Sequence, residues 1–277
     1  MKKILFPTDF SKTSLNAFAY ALHLAKKMQA EIITLHVYPL IAGTYGDYYD
    51  FLYENYDIAE LGQFENFKSE VPKLRMLAEK EHCSGVKVSH ILQSGEVVAD
   101  ILATAEKERV DFIVMGTTGA TGLKEVFLGS VAEKVINHAK VVVLAVPEGA
   151  IYKNIKNVLF LAELNKLQID ELKKVARIAA AFGAHTDVLQ IKSHHHSCDV
   201  EILETWKKQF LQSDVYFYIL TSNAIEDTVV DFMELNKSDV VAMPVHEKNI
   251  IEKIFLFSLS RQMAFHSRVP LLAVHVK

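Results

Sequence analysis

FIVMGTTGATGLKEVFLGSV, residues Phe112 to Val131, opens on a short apolar run and then sets Gly116, Gly119 and the pair Gly129-Ser130 on a G-x2-G-x9-G-S spacing. A strand ending in glycine lets ligand atoms approach the main chain with no Cβ in the way, and glycine accepts positive φ in the turn that follows. A helix beginning near Val131 offers unpaired N–H groups and a partial positive charge at its start, with the Ser130 hydroxyl beside them. Thr117, Thr118 and Thr121 add hydroxyl donors between these points. The stretch reads as a strand, a phosphate-cradling loop and a helix. On spacing alone, the alternative is a chance glycine loop with Ser130 as an ordinary N-cap.

The flanking sequence supplies the rest of a fold. Ile4-Leu5-Phe6 reads as a strand, Pro7-Thr8-Asp9-Phe10-Ser11 as a loop, Leu15 to Met28 as an Ala-rich amphipathic helix and Ile32 to Val37 as a second strand. Strand Val86 to Leu92, helix Glu96 to Glu108, strand Phe112 to Met115, helix Val131 to His138 and strand Val141 to Val146 follow. Short apolar strands alternating with helices predict a doubly wound parallel α/β sheet with helices on both faces. With strand order 3-2-1-4-5, a crevice opens beyond the carboxyl ends of the first and fourth strands, where such sheets bind ligands. The Pro7-Thr8-Asp9 loop then faces the loop from Gly116. Val37 and Tyr38 border the same crevice, as an apolar wall with main-chain hydrogen bonds for a planar base or as plain core packing.

The segments KILFPTDFS, ITLHVY and VMGTTGATGLKEVFLGSVAEKVINHAKVVVLAVP, with the Ala-rich helix, resemble the universal stress protein family in its ATP-binding branch. The resemblance implies an adenine nucleotide, ATP in the first place, with or without Mg2+, and with ADP and AMP left open. It places Pro7, Thr8 and Asp9 by the nucleoside, Asp9 near the adenine or ribose, and main-chain groups of Val37 against adenine. Met115, Gly116, Thr118, Gly119, Gly129, Ser130 and Val131 are implied around the ribose and phosphates.

A second copy of the plan follows. A shift of 154 residues aligns Ile4-Leu5-Phe6 with Val158-Leu159-Phe160 and Leu35-His36-Val37 with Leu189-Gln190-Ile191. A shift of 128 aligns Asp111 to Met115 with Asp239 to Met243 and Ala145-Val146 with Ala273-Val274, so the first half carries 26 extra residues between Tyr38 and about Val86. Two tandem five-stranded domains are expected, 1–147 with the intact site and 151–277 degenerate, joined at Pro147-Glu148-Gly149-Ala150. The second copy has Leu161, Ala162 and Glu163 for Pro7, Thr8 and Asp9, and Pro244, Glu247 and Phe257 for Gly116, Gly119 and Gly129; of these positions only Ser258 keeps its counterpart, Ser130. A carboxylate and a bulky ring in place of a phosphate cradle predict one working site per chain. The apolar last strands, Val141 to Val146 and Leu271 to Val276, are hazardous as open edges. The resemblance implies that they meet as an intramolecular pseudo-dimer; whether two chains form a homodimer stays open.

The extra residues in the first half are rich in aromatics, with Tyr45, Tyr48, Tyr49, Phe51, Tyr53, Tyr56 and Phe64 interleaved with acids. Residues 43–60 read either as a lid or docking surface for a protein partner, or as an added loop or short helix packed on its own domain. His194-His195-His196 with Cys198 reads as a solvated loop, since neighbouring side chains in extended chain point to opposite faces and do not converge on one metal. Cys83 and Cys198 form no redox motif.

The net charge of −4 gives no electrostatic reason for nucleic-acid binding. The short apolar run after Lys2-Lys3 is no signal peptide and nothing reaches transmembrane length, so no membrane association and a cytoplasmic location are expected. Lys124 does not sit in a G-x4-G-K-[ST] loop, and neither an SGGxDS-like nor an HxGH-like signature occurs. The expectation is therefore a nucleotide-dependent regulatory or stress-response protein. Its rivals are a slow ATPase or phosphotransferase in the same crevice, with Asp9 as the acid, and a partner- or small-molecule-binding module with a structural nucleotide.

Overall fold

The structure, a computed structural model, describes residues 1–39, 49–117, 129–163, 168–192, 200–245 and 268–275. The first half runs β1 (Lys2–Pro7), α1 (Lys12–Met28), β2 (Ala30–Tyr38), α2 (Tyr49–Lys80), β3 (Val88–Ser94), α3 (Val97–Lys107), β4 (Phe112–Gly116), α4 (Ser130–His138) and β5 (Val142–Val146). The second runs β6 (Asn157–Leu161), α5 (Ile169–Phe182), β7 (His185–Lys192), α6 (Val200–Gln209), β8 (Val215–Thr221), α7 (Ile225–Asn236), β9 (Val240–Val245) and β10 (Leu271–His275).

The strands form one ten-stranded sheet in the order β3-β2-β1-β4-β5-β10-β9-β6-β7-β8. Each half is parallel with order 3-2-1-4-5, and the halves join where β5 pairs antiparallel with β10, Leu272 opposite Leu144. The two expected edges therefore cover each other, which is the pseudo-dimer. Both sequence shifts reappear as register: Ile4 lies beside Ile32 and Val158 beside Thr186, each shifted by 154, while Ile113 beside Val143 becomes Val241 beside Leu271, each shifted by 128. Apolar packing is continuous across the joint on one face, from Phe6 and Phe18 through Leu144 and Leu272 to Phe160 and Trp206.

The extra chain of the first half is not an added loop. From Tyr49 onward it belongs to α2, a helix of 32 residues where its counterpart α6 has 10; residues 43–48 lie outside the described residues. Phe67 of α2 packs at the level of His36, near the end of β2. At about 1.5 Å per residue, the turns before Glu60 project roughly 10 Å or more past that level, toward the carboxyl end of the sheet. Phe64 is exposed on this helix whereas Phe67 is buried.

Helix α1 fixes both the crevice and the link between halves. The Ser11 hydroxyl caps its start by accepting from the Ser14 N–H at 3.2 Å. Its Asn16 amide donates to the carbonyls of Pro147 (3.1 Å) and Ala150 (2.7 Å), and His23 stacks on Tyr152 at 3.7 Å, so the connecting segment is pinned along the helix.

Candidate functional site

Strand β1 stops at Pro7 while β2 runs on to Tyr38, and this difference opens the crevice. The Thr8 N–H donates to Leu35 O at 2.9 Å, and Gly95 N–H donates to Tyr38 O at 2.9 Å. Main-chain groups alternate sides along a strand. Leu35 and Val37 therefore turn theirs toward β1, and at Val37 β1 has already ended. Its N–H and C=O face the crevice.

The loop after β1 is held by its own side chains. The Thr8 hydroxyl lies 2.7 Å from Ser14 Oγ and accepts from the Phe10 N–H at 3.0 Å, while Asp9 Oδ1 accepts from the Ser11 N–H at 3.0 Å. These bonds support Phe10 in the left-handed region, φ 58°, which a bulky residue rarely occupies. The Phe10 ring packs on His36 at 5.3 Å and on Phe67 at 5.9 Å, and His36 Nδ1 lies 2.7 Å from Thr8 O.

Across the crevice, β4 ends at Gly116 and α4 begins at Ser130 with Gly129 as its N-cap, at φ −67° and ψ 156°. Gly129 N–H donates to Thr117 O at 2.6 Å, and Thr117 N–H to Val146 O at 3.0 Å. Ser130 is thus the first helical residue rather than the cap, one position earlier than the expected helix start. The first turn of α4 presents its N–H groups here, with the positive end of the helix dipole. Gly116 serves packing: a Cβ there would lie 3.0 Å from Thr13 Cγ2 and 3.3 Å from the Ser14 nitrogen. The start of α1 therefore packs closely on this side of Gly116, which also borders the crevice.

Pro7, Thr8, Asp9, Val37, Met115, Gly116, Gly129, Ser130 and Val131 all line one cavity of about 310 Å³. Thr118 and Gly119 lie outside the described residues. Ser14, Leu35, Val97, Ile101 and Ala132 join the lining without having been singled out in the sequence. Val97 and Ile101 come from α3, and the apolar face of a helix following the third strand was the available signal. Leu35, Val37, Val97, Ile101, Met115 and Val131 make an apolar wall, and the described lining has one carboxylate, Asp9, and no Lys or Arg.

The matching loop of the second half is held by different side chains. Ala162 N–H donates to Leu189 O at 2.9 Å, repeating the Thr8–Leu35 bond. Gln168, fully buried where Ser14 stands in the first half, accepts from the Glu163 N–H at 2.9 Å. Pro244 lies within β9 and has no N–H. Glu247, Phe257, Ser258 and His194-His195-His196 lie outside the described residues. Among the described residues, no three His, Cys, Asp or Glu are grouped to hold a metal ion, and no helix is long and apolar enough to cross a membrane.

Known proteins resemble the first half in sequence and the whole chain in fold. The profile of the universal stress protein family matches residues 1–147. Universal stress protein MJ0531 of Methanocaldococcus jannaschii is 37% identical over 148 residues, covering 52% of this chain and 81% of the relative. Universal stress protein YxiE of Bacillus subtilis is 35% identical over 133 residues, covering 48% of this chain and 90% of the relative. A solved universal stress protein from Archaeoglobus fulgidus matches the whole architecture with a TM-score of 0.72, covering 99% of this chain and 96% of its own, at 21% identity. The fold likeness thus spans both halves and the sequence likeness the first, and the chain belongs to the universal stress protein family.

Proposed function

We propose that the cavity at the β1–β4 crevice binds one adenine nucleotide per chain, ATP with Mg2+ in the first place, and that its occupancy regulates the protein's contacts. The observation that carries this reading is the juxtaposition of the Val37 main chain and its apolar wall with the first turn of α4 across one cavity of about 310 Å³. A planar base suits the first and an anionic phosphate the second. The described lining offers no cationic side chain, so Mg2+ would supply charge neutralisation on the phosphates, with Asp9 the acidic group at hand. Asp9 would orient the nucleoside or help hold the metal. Thr118 and Gly119 would complete the phosphate loop with Gly129, Ser130 and Val131.

In this reading the chain comprises a nucleotide domain, 1–147, and a degenerate domain, 151–277, whose Gln168 and Glu163 occupy the loop instead of a ligand. The extended α2 would carry the response outward, with residues 43–60 as the surface offered to a partner protein.

The test is calorimetric titration of nucleotide-stripped protein with ATP and magnesium, beside Gly129→Phe. The Gly129 backbone is one any residue adopts, so this variant adds bulk at the start of α4 without backbone strain. One ATP per chain, lost in the variant, is the expected result. Two equivalent sites, or binding untouched by the variant, would refute it.

A further inference from the structure

We propose that the protein forms a homodimer by antiparallel pairing of β8 with β8 of a second copy, extending the sheet across a molecular two-fold. This inference is independent of nucleotide binding. β8 is the last strand in the sheet order, and on its outer side no further strand lies among the described residues. Its sequence, Val215 to Thr221, is VYFYILT, without charge, proline or glycine. Tyr216 is 50% exposed, Tyr218 36% and Leu220 36%, all on one face, while Phe217 on the other face packs against Phe210. The opposite edge, β3, reads VSHILQS, with Ser89 and Gln93 at the positions matching Tyr216 and Leu220. The two halves share a fold, yet only one of its outer edges carries this apolar, β-favouring face. An edge of that kind pairs with another chain unless something blunts it.

The occupant follows from the backbone. Thr186 N–H donates to Asp214 O and Ser222 N–H donates to Lys192 O, so even-numbered residues of β8 bond to β7. Phe217, Ile219 and Thr221 turn their N–H and C=O outward, as does the Val215 C=O, while the Val215 N–H donates to Ser213 O at 2.8 Å. A two-fold axis through Tyr218 sets Val215 opposite Thr221 and Phe217 opposite Ile219. The N–H and C=O of Phe217 and Ile219 then meet their complements, and the Thr221 N–H meets the Val215 C=O. Tyr218 faces its own symmetry mate, Tyr216 faces Leu220, and Asp214 just outside the strand faces Ser222, so no like charges are opposed. Such a self-complementary patch makes a closed, isologous dimer. The chain already uses the same solution internally, where β5 and β10 pair antiparallel and are buried.

The experiment is sedimentation velocity on the full chain at micromolar concentration. Wild type is expected at twice the chain mass. Tyr218→Lys, which opposes two like charges at the axis, and Ile219→Pro, which removes an outward N–H that β7 does not use, are each expected to give monomer with native circular dichroism. In a C83S/C198S background, Tyr218→Cys should cross-link to itself on oxidation, because residues at a non-hydrogen-bonded antiparallel position lie about 4.5 Å apart at Cα, within disulfide range. Leu220→Cys, which faces Tyr216, should not. A monomeric wild type, a dimer that survives both edge variants, or cross-linking equal at both cysteine positions would overturn the proposal.

Discussion

The Phe67 ring stands edge-on to Phe10, centroids 5.9 Å apart and planes at 64°, and so ties the long helix α2 to the loop at the mouth of the cavity. Phe10 is held at φ 58°, a conformation that costs about 1–3 kcal/mol for such a residue. With Phe67 removed, that cost falls on the ligand, which must order the loop itself. Phe67→Ala should therefore weaken ATP binding about tenfold, equivalent to about 1.4 kcal/mol, as well as destabilising the fold by about 3 kcal/mol. Phe67→Leu should restore most of the stability and less of the affinity. Calorimetric titration paired with urea unfolding separates the two effects, and unchanged affinity in Phe67→Ala would break the link between α2 and the loop.

Gly116→Ala tests the contact between β4 and α1. The new methyl would press on Thr13 Cγ2 at 3.0 Å and on the Thr13 carbonyl carbon at 3.2 Å, and backbone yields poorly. Overpacking of this kind costs about 1–3 kcal/mol, or a loss of roughly 2–9 °C in Tm for a chain of this size. Thr13→Ser removes the nearer atom and should recover part of the loss in the double variant. Differential scanning fluorimetry of the three variants decides it, and additive effects would mean that the two residues do not press on each other.

Strand order and pairing were legible because both halves must satisfy the same register, so the shifts of 154 and 128 residues had to recur as strand neighbours. The crevice followed from the order, and with it nine of the cavity-lining residues. What the sequence hid depended on contacts between distant positions. Nothing local relates Phe10 to Phe67, and the mixed tyrosines and acids after Tyr45, with Pro72 further along, masked a single helix from Tyr49 to Lys80. Gly116 was visible as a requirement, but the close approach of Thr13 to it was not.

Acid should loosen the fold through two histidines. His275 of β10 holds Nε2 2.6 Å from Ile136 O and Nδ1 3.0 Å from Val141 O, bridging the two halves. Burial pushes its pKa below the ordinary 6.5, more than the two carbonyls raise it, and Lys174 adds to the lowering; burial also depresses His90. Between the folded and unfolded values the unfolded chain binds more protons. The stabilisation is therefore complete above about pH 6.5 and is lost as pH falls through the folded values. Urea midpoints measured from about pH 7 to about pH 5 should decline less steeply in His90→Gln/His275→Gln than in wild type. Parallel slopes would mean that neither residue carries the effect.

Gln168 tests what holds the matching loop of the second half. Its side chain is fully buried and accepts from the Glu163 N–H at 2.9 Å, at the position where the first half has Ser14. Gln168→Ala leaves that main-chain donor without its acceptor and removes volume from the loop, which should cost about 1–3 kcal/mol in urea unfolding. It should not create a second nucleotide site, because the second half still has Glu247 and Phe257 in sequence where the first has Gly119 and Gly129. Titration of Gln168→Ala with ATP and magnesium is therefore expected to keep the wild-type stoichiometry while the unfolding midpoint drops. A second equivalent of nucleotide would show that Gln168 alone blocks a competent site, and that the degeneracy of the second half lies in one side chain rather than in its main chain.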